Sequence, residues 1–249
     1  EVLSVSAKAC VLIEASTGKI LFSKNPDKKL PMASTTKIMT TLLCLESGNL
    51  DEQFVVDPEA IKVEGSSMGL VEGDIVTKRA LCYGMLLPSG NDAANATAIK
   101  IGGSFENFAA LMNERAKEIG MTRTCFVTPS GLEAQGHGSS AFDMALLTRE
   151  ALENPDFVEI CSQSKAQIES GNPPYKRWLT NTNKLLTMCE GVIGVKTGFT
   201  DEAGRCLVSA CERNGVRLIC VTLNASDDWN DHMKLYDMGF SKVSAKEIS

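Results

Sequence analysis

Two short apolar runs near the start of the chain, 7–15 (AKACVLIEA) and 20–23 (ILFS), flank Ser16-Thr17-Gly18-Lys19. A turn composition between two β-type runs predicts a hairpin. Toward the other end, 192–197 (VIGVKT), 205–211 (RCLVSAC) and 216–223 (VRLICVTL) predict three more strands. Asn214-Gly215, between the last two, is the strongest short hairpin signal in the chain. Residues 227–238 open on two aspartates and then place Met233, Leu235 and Met238 on a helical pattern, so a helix follows the last strand. Between these ends the period changes. Residues 33–47 carry Ile38, Met39, Leu42, Leu43 and Leu45 at helical spacing, with Gly48-Asn49 as the stop. The segments 77–88, 92–101, 104–119 and 140–153 also predict helices, and Pro155 sits just past the last of them. Strands at both ends with helices between them predict an α+β fold, an α/β sandwich. It has one antiparallel five-stranded sheet built from both termini, flanked by helices, with a mostly helical lobe inserted. The sheet portions span about 1–32 and 190–249 and the lobe about 33–189, all within one domain. No repeat, low-complexity tract or linker divides the chain.

Composition narrows the class. The 249 residues are 43% apolar and 22% charged with 20 Gly and 8 Pro, which excludes disorder, collagen-like repeats and a coiled coil. A chain of this length buries roughly 70–75% of its unfolded surface, enough for a large core without staples. A net charge of −6 argues against a nucleic-acid partner, because phosphate binding needs a basic face. No run approaches the roughly 20 apolar residues of a membrane span. The chain opens on Glu1-Val2-Leu3-Ser4 without an initiator Met, so a processed end that has lost a signal peptide is expected. The nine cysteines form no CxxC pair, and His137 and His232 lie near no paired-cysteine motif, so no metal site and no cofactor are expected. Most of the cysteines sit among apolar neighbours and read as small buried hydrophobes, with few or no disulfides.

Serine-hydrolase chemistry of the Ser-His-Asp type has little to work with. There is no GxSxG elbow; His137 lies in Gln135-Gly136-His137-Gly138 and reads as a loop residue, and His232 reads as a surface residue of the terminal helix. A serine is also activated by lysine. Ser-x-x-Lys on a helix puts hydroxyl and amine on one face. The amine must be neutral to take a proton, and an ordinary pKa of about 10.4 leaves only about one molecule in 2,500 neutral at pH 7. The site must lower that pKa by about three units, about 4 kcal/mol, through burial and neighbouring positive charge.

Ser-x-x-Lys occurs three times, at Ser16/Lys19, Ser34/Lys37 and Ser162/Lys165, and Ser-Gly-Asn three times, at 47–49, 89–91 and 170–172. Context separates them. Ser16 lies in a hairpin turn, and Ser162 follows a Pro-broken helix with no apolar helix behind it. Ser34 alone stands at the N-terminus of a strongly apolar helix, whose dipole favours developing negative charge. Ser47-Gly48-Asn49 ends that helix and Ser170-Gly171-Asn172-Pro173-Pro174 reads as a turn. Ser89-Gly90-Asn91 sits in a short loop between two helices, where its side chains aim into a cleft. Lys196-Thr197-Gly198 is unique and ends a strand.

Ser34/Lys37, Ser89/Asn91 and Lys196-Thr197-Gly198, in that order, are the motif set of class A β-lactamases and penicillin-binding proteins. The chain resembles the low-molecular-mass penicillin-binding proteins that act as serine D-alanyl-D-alanine carboxypeptidases. The resemblance runs through Pro31–Thr40, Gly73-Asp74, Ser89–Ala94, Gly131-Leu132, Ser139-Ser140-Ala141, Asp143-Met144-Ala145 and Gly194–Thr200. It implies a β-lactamase/transpeptidase-like fold and a full set of roles. Ser34 attacks the D-Ala-D-Ala carbonyl and is acylated, Lys37 takes its proton, and Ser89 and Asn91 complete the network. Lys196 lowers the pKa of Lys37 and attracts the substrate carboxylate, which Thr197 also binds. Gly198 and Phe199 line the substrate site, and the backbone N–H groups of Ser34 and Phe199 form the oxyanion hole. The implied partners are a peptidoglycan stem peptide and, as inhibitors, β-lactams, with the chain an exported monomer at the outer face of a bacterial cytoplasmic membrane. Membrane contact is expected only through a C-terminal anchor, which, like the family's C-terminal β-rich domain, is expected to be missing here.

One departure concerns carboxylate recognition. Some members carry an arginine after the last strand, whereas 224–232 (NASDDWNDH) has none, which leaves more of that task to Lys196 and Thr197. Two other readings compete. A class A β-lactamase needs a deacylating glutamate, for which Glu150, spaced from Asn154, is the one candidate. A catalytically dead peptide-binding module is the other, although every motif position is present.

Overall fold

The computed structural model describes residues 3–246. Strands β1 (Ala9–Glu14) and β2 (Ile20–Lys24) form the N-terminal hairpin. Its turn is closed by the Glu14 carboxylate, which accepts from the backbone N–H groups of Ser16 and Thr17 at 3.0 and 2.8 Å. The chain then passes through a 3-10 turn (Ala33–Thr36), α1 (Lys37–Glu46), short strands β3 (Phe54–Val55) and β4 (Ile75–Val76), α2 (Lys78–Leu86) and α3 (Asn91–Gly102). Helices α4 (Phe105–Ile119), α5 (Ala141–Ala151) and α6 (Pro155–Cys161) follow, then β5 (Lys165–Gly171), β6 (Pro174–Thr180) and the one-turn α7 (Leu185–Met188). Strands β7 (Val192–Thr200), β8 (Gly204–Arg213) and β9 (Val216–Ala225) and helix α8 (Asp228–Lys246) complete the order.

The predicted five-stranded antiparallel sheet is present, in the order β2-β1-β9-β8-β7, so the first two strands and the last three share one sheet. Asn214 and Gly215 turn β8 into β9 with φ of 51° and 79°, the left-handed pair that a two-residue hairpin with right-handed twist demands. Alternate residues of the sheet face two layers. Ala9, Val11 and Ile13 of β1 and Ile219, Val221 and Leu223 of β9 pack toward the lobe with Ile38, Met39 and Leu42 of α1. Cys10, Leu12, Leu218 and Cys220 face the opposite way, onto Leu235 and Tyr236 of α8. Among the described residues no helix is long and apolar enough to cross a membrane. All nine cysteines are free thiols, and eight of them are buried.

Outside the cleft the structure departs from the sequence pattern in four places. The lobe holds two small sheets, β3-β4 and β5-β6, besides its helices. The turn at Ser170–Pro174 joins β5 to β6, but Lys, Ala, Gln and Glu in β5 are weak strand formers, so their alternation was masked. Pro155 does not end helical structure: it opens α6 as its first residue, with the Asn154 carboxamide capping the N–H groups of Asp156 and Phe157 at 3.0 and 3.3 Å. Ser162 therefore does follow an apolar helix, one that buries Phe157, Ile160 and Cys161. Helix α8 also runs well past residue 238.

The fourth departure is His232, which is fully buried rather than on the surface. It shares a helix face with Leu235 and Tyr236, and that face packs on the sheet where β8 and β9 present hydroxyls. Ser209 Oγ lies 2.6 Å from His232 Nδ1 and 2.5 Å from the Tyr236 hydroxyl, and Thr222 Oγ1 lies 2.9 Å from Nε2. Burial lowers the imidazole pKa to about 3, so it is neutral in the fold. Its folded pKa lies below the ordinary value of about 6.5, so its stabilising share is complete above that pH and is lost as pH falls. His232→Ala should leave buried hydroxyls unpaired around a cavity, costing about 3 kcal/mol or more and lowering Tm by about 6–12 °C in calorimetry. An unchanged Tm would mean that the network carries no stability.

Candidate active site

Ser34 lies in the 3-10 turn and Lys37 is the first residue of α1. The sequence pattern placed Ser34 on the α-helix itself; the tighter 3-10 pitch instead nearly eclipses positions i and i+3 and so aligns the hydroxyl with the amine. Ala33, just before it, has φ of 48°, a strained conformation for a residue with a Cβ. Gly131 holds the turn from behind: a Cβ there would sit 1.9 Å from the Ala33 carbonyl oxygen, so only glycine fits. His137 has the loop role expected of it. Its Nδ1 accepts from the Val127 N–H at 2.9 Å, which leaves Nε2–H to donate to Thr36 Oγ1 at 3.0 Å. Burial, then the charge of Lys29, lowers its pKa to about 4.

Three elements converge on the Lys37 amine. Its Nζ lies 2.8 Å from Ser34 Oγ, 3.2 Å from Ser89 Oγ and 2.7 Å from Asn91 Oδ1. Ser89 is held in the loop between α2 and α3 with φ of 63°. The Asn91 amide is oriented by its own donor, since Nδ2 donates to the Glu64 carbonyl at 2.8 Å and thereby turns Oδ1 toward the lysine. Asp92, 2% exposed, anchors the facing loop by accepting from the N–H groups of Met68 at 2.9 Å, Gly69 at 3.1 Å and Leu70 at 2.9 Å. Lys37 itself has no exposed surface. Burial first, and then the positive charge of Lys196, hold its pKa well below the ordinary lysine value, against a smaller opposing pull from Asp92.

The opposite wall is β7. Lys196 is 1% exposed, donates to the Thr197 carbonyl at 2.7 Å, and has its pKa lowered to about 7 by burial. The Thr197 and Thr182 hydroxyls lie 2.6 Å apart. At Gly198 a Cβ would come within 2.8 Å of the Ser34 nitrogen, so its absence lets β7 close against the turn that carries Ser34. Phe199 is 62% exposed at the rim. Ser34, Ser89, Thr197, Gly198 and Phe199 line a cleft of about 330 Å³, with Lys37 and Lys196 beneath it. A larger cleft of about 530 Å³ lies among Lys29, Glu133 and Glu202 and contains none of these residues. No group of three His, Cys, Asp or Glu among the described residues is placed to hold a metal.

Other lining residues escaped the sequence reading. Arg205 stands across the ladder from Phe199, so β8 rather than the chain after β9 brings a guanidinium to the cleft. Its Nη2 lies 2.5 Å from Asp228 Oδ1 and its guanidinium carbon 5.4 Å from the Trp229 ring centre, so the first residues of α8 hold it in place. The register of β7 against β8 was the one signal that would have found it. Glu150, the candidate deacylating glutamate, is instead on α5 in an ion pair with Arg115 at 2.8 Å, and Asn154 caps α6.

The family model for D-alanyl-D-alanine carboxypeptidases, Peptidase S11, matches residues 1–227. The chain belongs to this family. Within it, the chain is 38% identical to D-alanyl-D-alanine carboxypeptidase DacF of Bacillus subtilis (strain 168) over 99% of its own length and 65% of that relative. It is 36% identical to D-alanyl-D-alanine carboxypeptidase DacC of Escherichia coli (strain K12) over 96% of its own length and 62% of that relative. It thus spans a little under two thirds of these two carboxypeptidases. The S96A mutant of Streptomyces K15 DD-transpeptidase superposes with a TM-score of 0.92 at 29% identity, covering 96% of this chain and 100% of that one.

Proposed function

We propose that this chain is the catalytic unit of a serine D-alanyl-D-alanine carboxypeptidase, which removes the terminal D-Ala of peptidoglycan stem pentapeptides through an acyl-enzyme on Ser34. The observation that carries the reading is the buried Lys37 amine within hydrogen-bond reach of Ser34, Ser89 and Asn91. Neutral Lys37 takes the Ser34 proton as Oγ attacks the penultimate D-Ala carbonyl. The backbone N–H groups of Ser34 and Phe199 stabilise the oxyanion, which Gly198 allows to lie close to β7. Ser89 passes the proton from Lys37 to the leaving D-Ala nitrogen as the C–N bond breaks. Water, deprotonated by the same lysine, then hydrolyses the ester. Lys196 supplies positive charge beneath the cleft, and Thr197 and Arg205 receive the substrate carboxylate. β-Lactams enter the same path and stop at the acyl-enzyme. An enzyme with this substrate works outside the cytoplasmic membrane, here as an exported monomer.

The direct test is mass spectrometry of D-alanine released from a defined pentapeptide, alongside the turnover of a chromogenic β-lactam. D-alanine release with slow β-lactam turnover is expected; fast β-lactam turnover without D-alanine release would make the chain a β-lactamase. The placement of Glu150 outside the cleft favours the first outcome. Arg205→Ala should lower kcat/KM for a free-acid peptide by about 10- to 100-fold, the worth of one charge-assisted hydrogen bond. With the C-terminally amidated peptide the loss should vanish. An equal loss on both substrates would assign Arg205 to holding α8 alone.

A further inference from the structure

Away from the cleft, two thiols meet at the turn that feeds β7. Cys189 closes the C-terminal end of α7 and keeps 8% exposure, while Cys211, on β8 across from Val192, has none. The two thiols are close enough that each is the largest influence on the other's pKa. Arg213 ties the group together, donating from Nη2 to Cys189 Sγ at 3.5 Å and from Nε to the Glu190 carbonyl at 3.0 Å. Cys211 Sγ lies 3.2 Å from that same carbonyl. The turn folds down on Cys211 because residue 191 is glycine, with φ of 88°; a Cβ there would sit 3.1 Å from Cys211 Sγ.

We propose that Cys189 and Cys211 are a redox-active dithiol, in which Cys189 exchanges with a low-molecular-weight disulfide and Cys211 resolves the adduct into an intramolecular disulfide. The roles follow from placement. Of the two, only Cys189 has a surface, and a guanidinium faces its sulfur, the setting that favours a thiolate. The neighbouring Cys211 thiol lowers the Cys189 pKa, and Arg213 lowers it further against burial and the carboxylate of Asp237; Cys189 in turn raises the Cys211 pKa. Chemically, the Cys189 thiolate attacks one sulfur of the external disulfide and releases one thiolate. Cys211 then loses its proton and attacks Cys189 Sγ, releasing the second. Two cysteine thiols are oxidised to one disulfide, one external disulfide is reduced to two thiols, and the two protons pass to them. The other pair of neighbouring thiols, Cys44 with Cys82, has no exposed surface at either residue, so an oxidant has no route to it. The bridge would close the segment that carries Lys196, Thr197 and Gly198 and pin the end of α7 to β8.

The test is incubation of the folded protein in glutathione buffers of rising disulfide fraction, followed by intact mass and peptide mapping. Wild type should lose two hydrogens in mass with the bridge mapped to Cys189–Cys211, and its Tm should rise by about 5 °C. Cys211→Ser should stop at one glutathionyl adduct on Cys189, and Cys189→Ser should stay unmodified. On the native wild type, brief alkylation at neutral pH should label Cys189 ahead of the other eight thiols, which tests the assignment without any variant. A chain that forms no bridge, a bridge mapped to another pair, or alkylation spread evenly over the thiols would overturn the proposal.

Discussion

Ser34→Ala should abolish covalent labelling by a fluorescent penicillin and lower D-alanine release by about 10⁶-fold, the loss seen when a serine nucleophile is removed from an intact site. The expectation is this large because nothing else in the cleft replaces the hydroxyl. Ser89 Oγ is also near the lysine, at 3.2 Å against 2.8 Å for Ser34, but it lies on the α2–α3 loop, away from the turn that Gly198 brings against β7. The change deletes one partly exposed oxygen and no packing, so Tm should stay within about 1 °C, in keeping with small surface effects. Labelling that survives in Ser34→Ala would move the nucleophile elsewhere, with Ser89 the first residue to check.

Lys37→Gln should slow penicillin acylation by about 10³- to 10⁴-fold, the upper part of the range for a general base. The pH dependence separates a base from a structural cation. A lysine base acts as the neutral amine, so acylation should fall as pH drops through the lowered pKa of Lys37. That pKa is lowered first by burial and next by the charge of Lys196. Lys196 carries its charge below about pH 7, so its repulsion of a protonated Lys37 is present there. Lys196→Gln removes the repulsion but not the burial, so the Lys37 pKa must rise and the acid limb must move to higher pH. An acid limb that stays in place, or moves to lower pH, would show that the two amines do not share one electrostatic field.

Much of this was legible in one dimension because the chemistry recurs as spaced triplets. Ser34/Lys37, Ser89/Asn91 and Lys196-Thr197-Gly198 each sit at an element junction that apolar periodicity and turn residues already mark. The sheet was legible for a similar reason, since residues 9–14 and 216–225 are apolar on both faces and Asn214-Gly215 leaves little choice of turn. Strand β5 was not, because its inward residues include Ala166 and Ser170 and its outward ones are charged or amide. His232 misled for the opposite reason: an imidazole on a helix is ordinarily solvated, and nothing local announces that Ser209 and Thr222, on two other strands, complete its hydrogen bonds.

The sequence alone therefore determined the family, the fold class and which side chains are available around Lys37, all of which depend on residue type and short-range spacing. Three matters were decided only by the tertiary structure. One is the pKa of Lys37, because desolvation and the field of Lys196 exist only once α1 and β7 enclose both amines. Another is the arginine of the cleft, because the register of β7 on β8 sets Arg205 beside Phe199. The last is the pairing of Cys189 with Cys211, which lie 22 positions apart in sequence and meet only because a turn folds over a strand edge. Spacing along a chain specifies which groups are available; a low dielectric and a strand register, both products of packing, specify what those groups do.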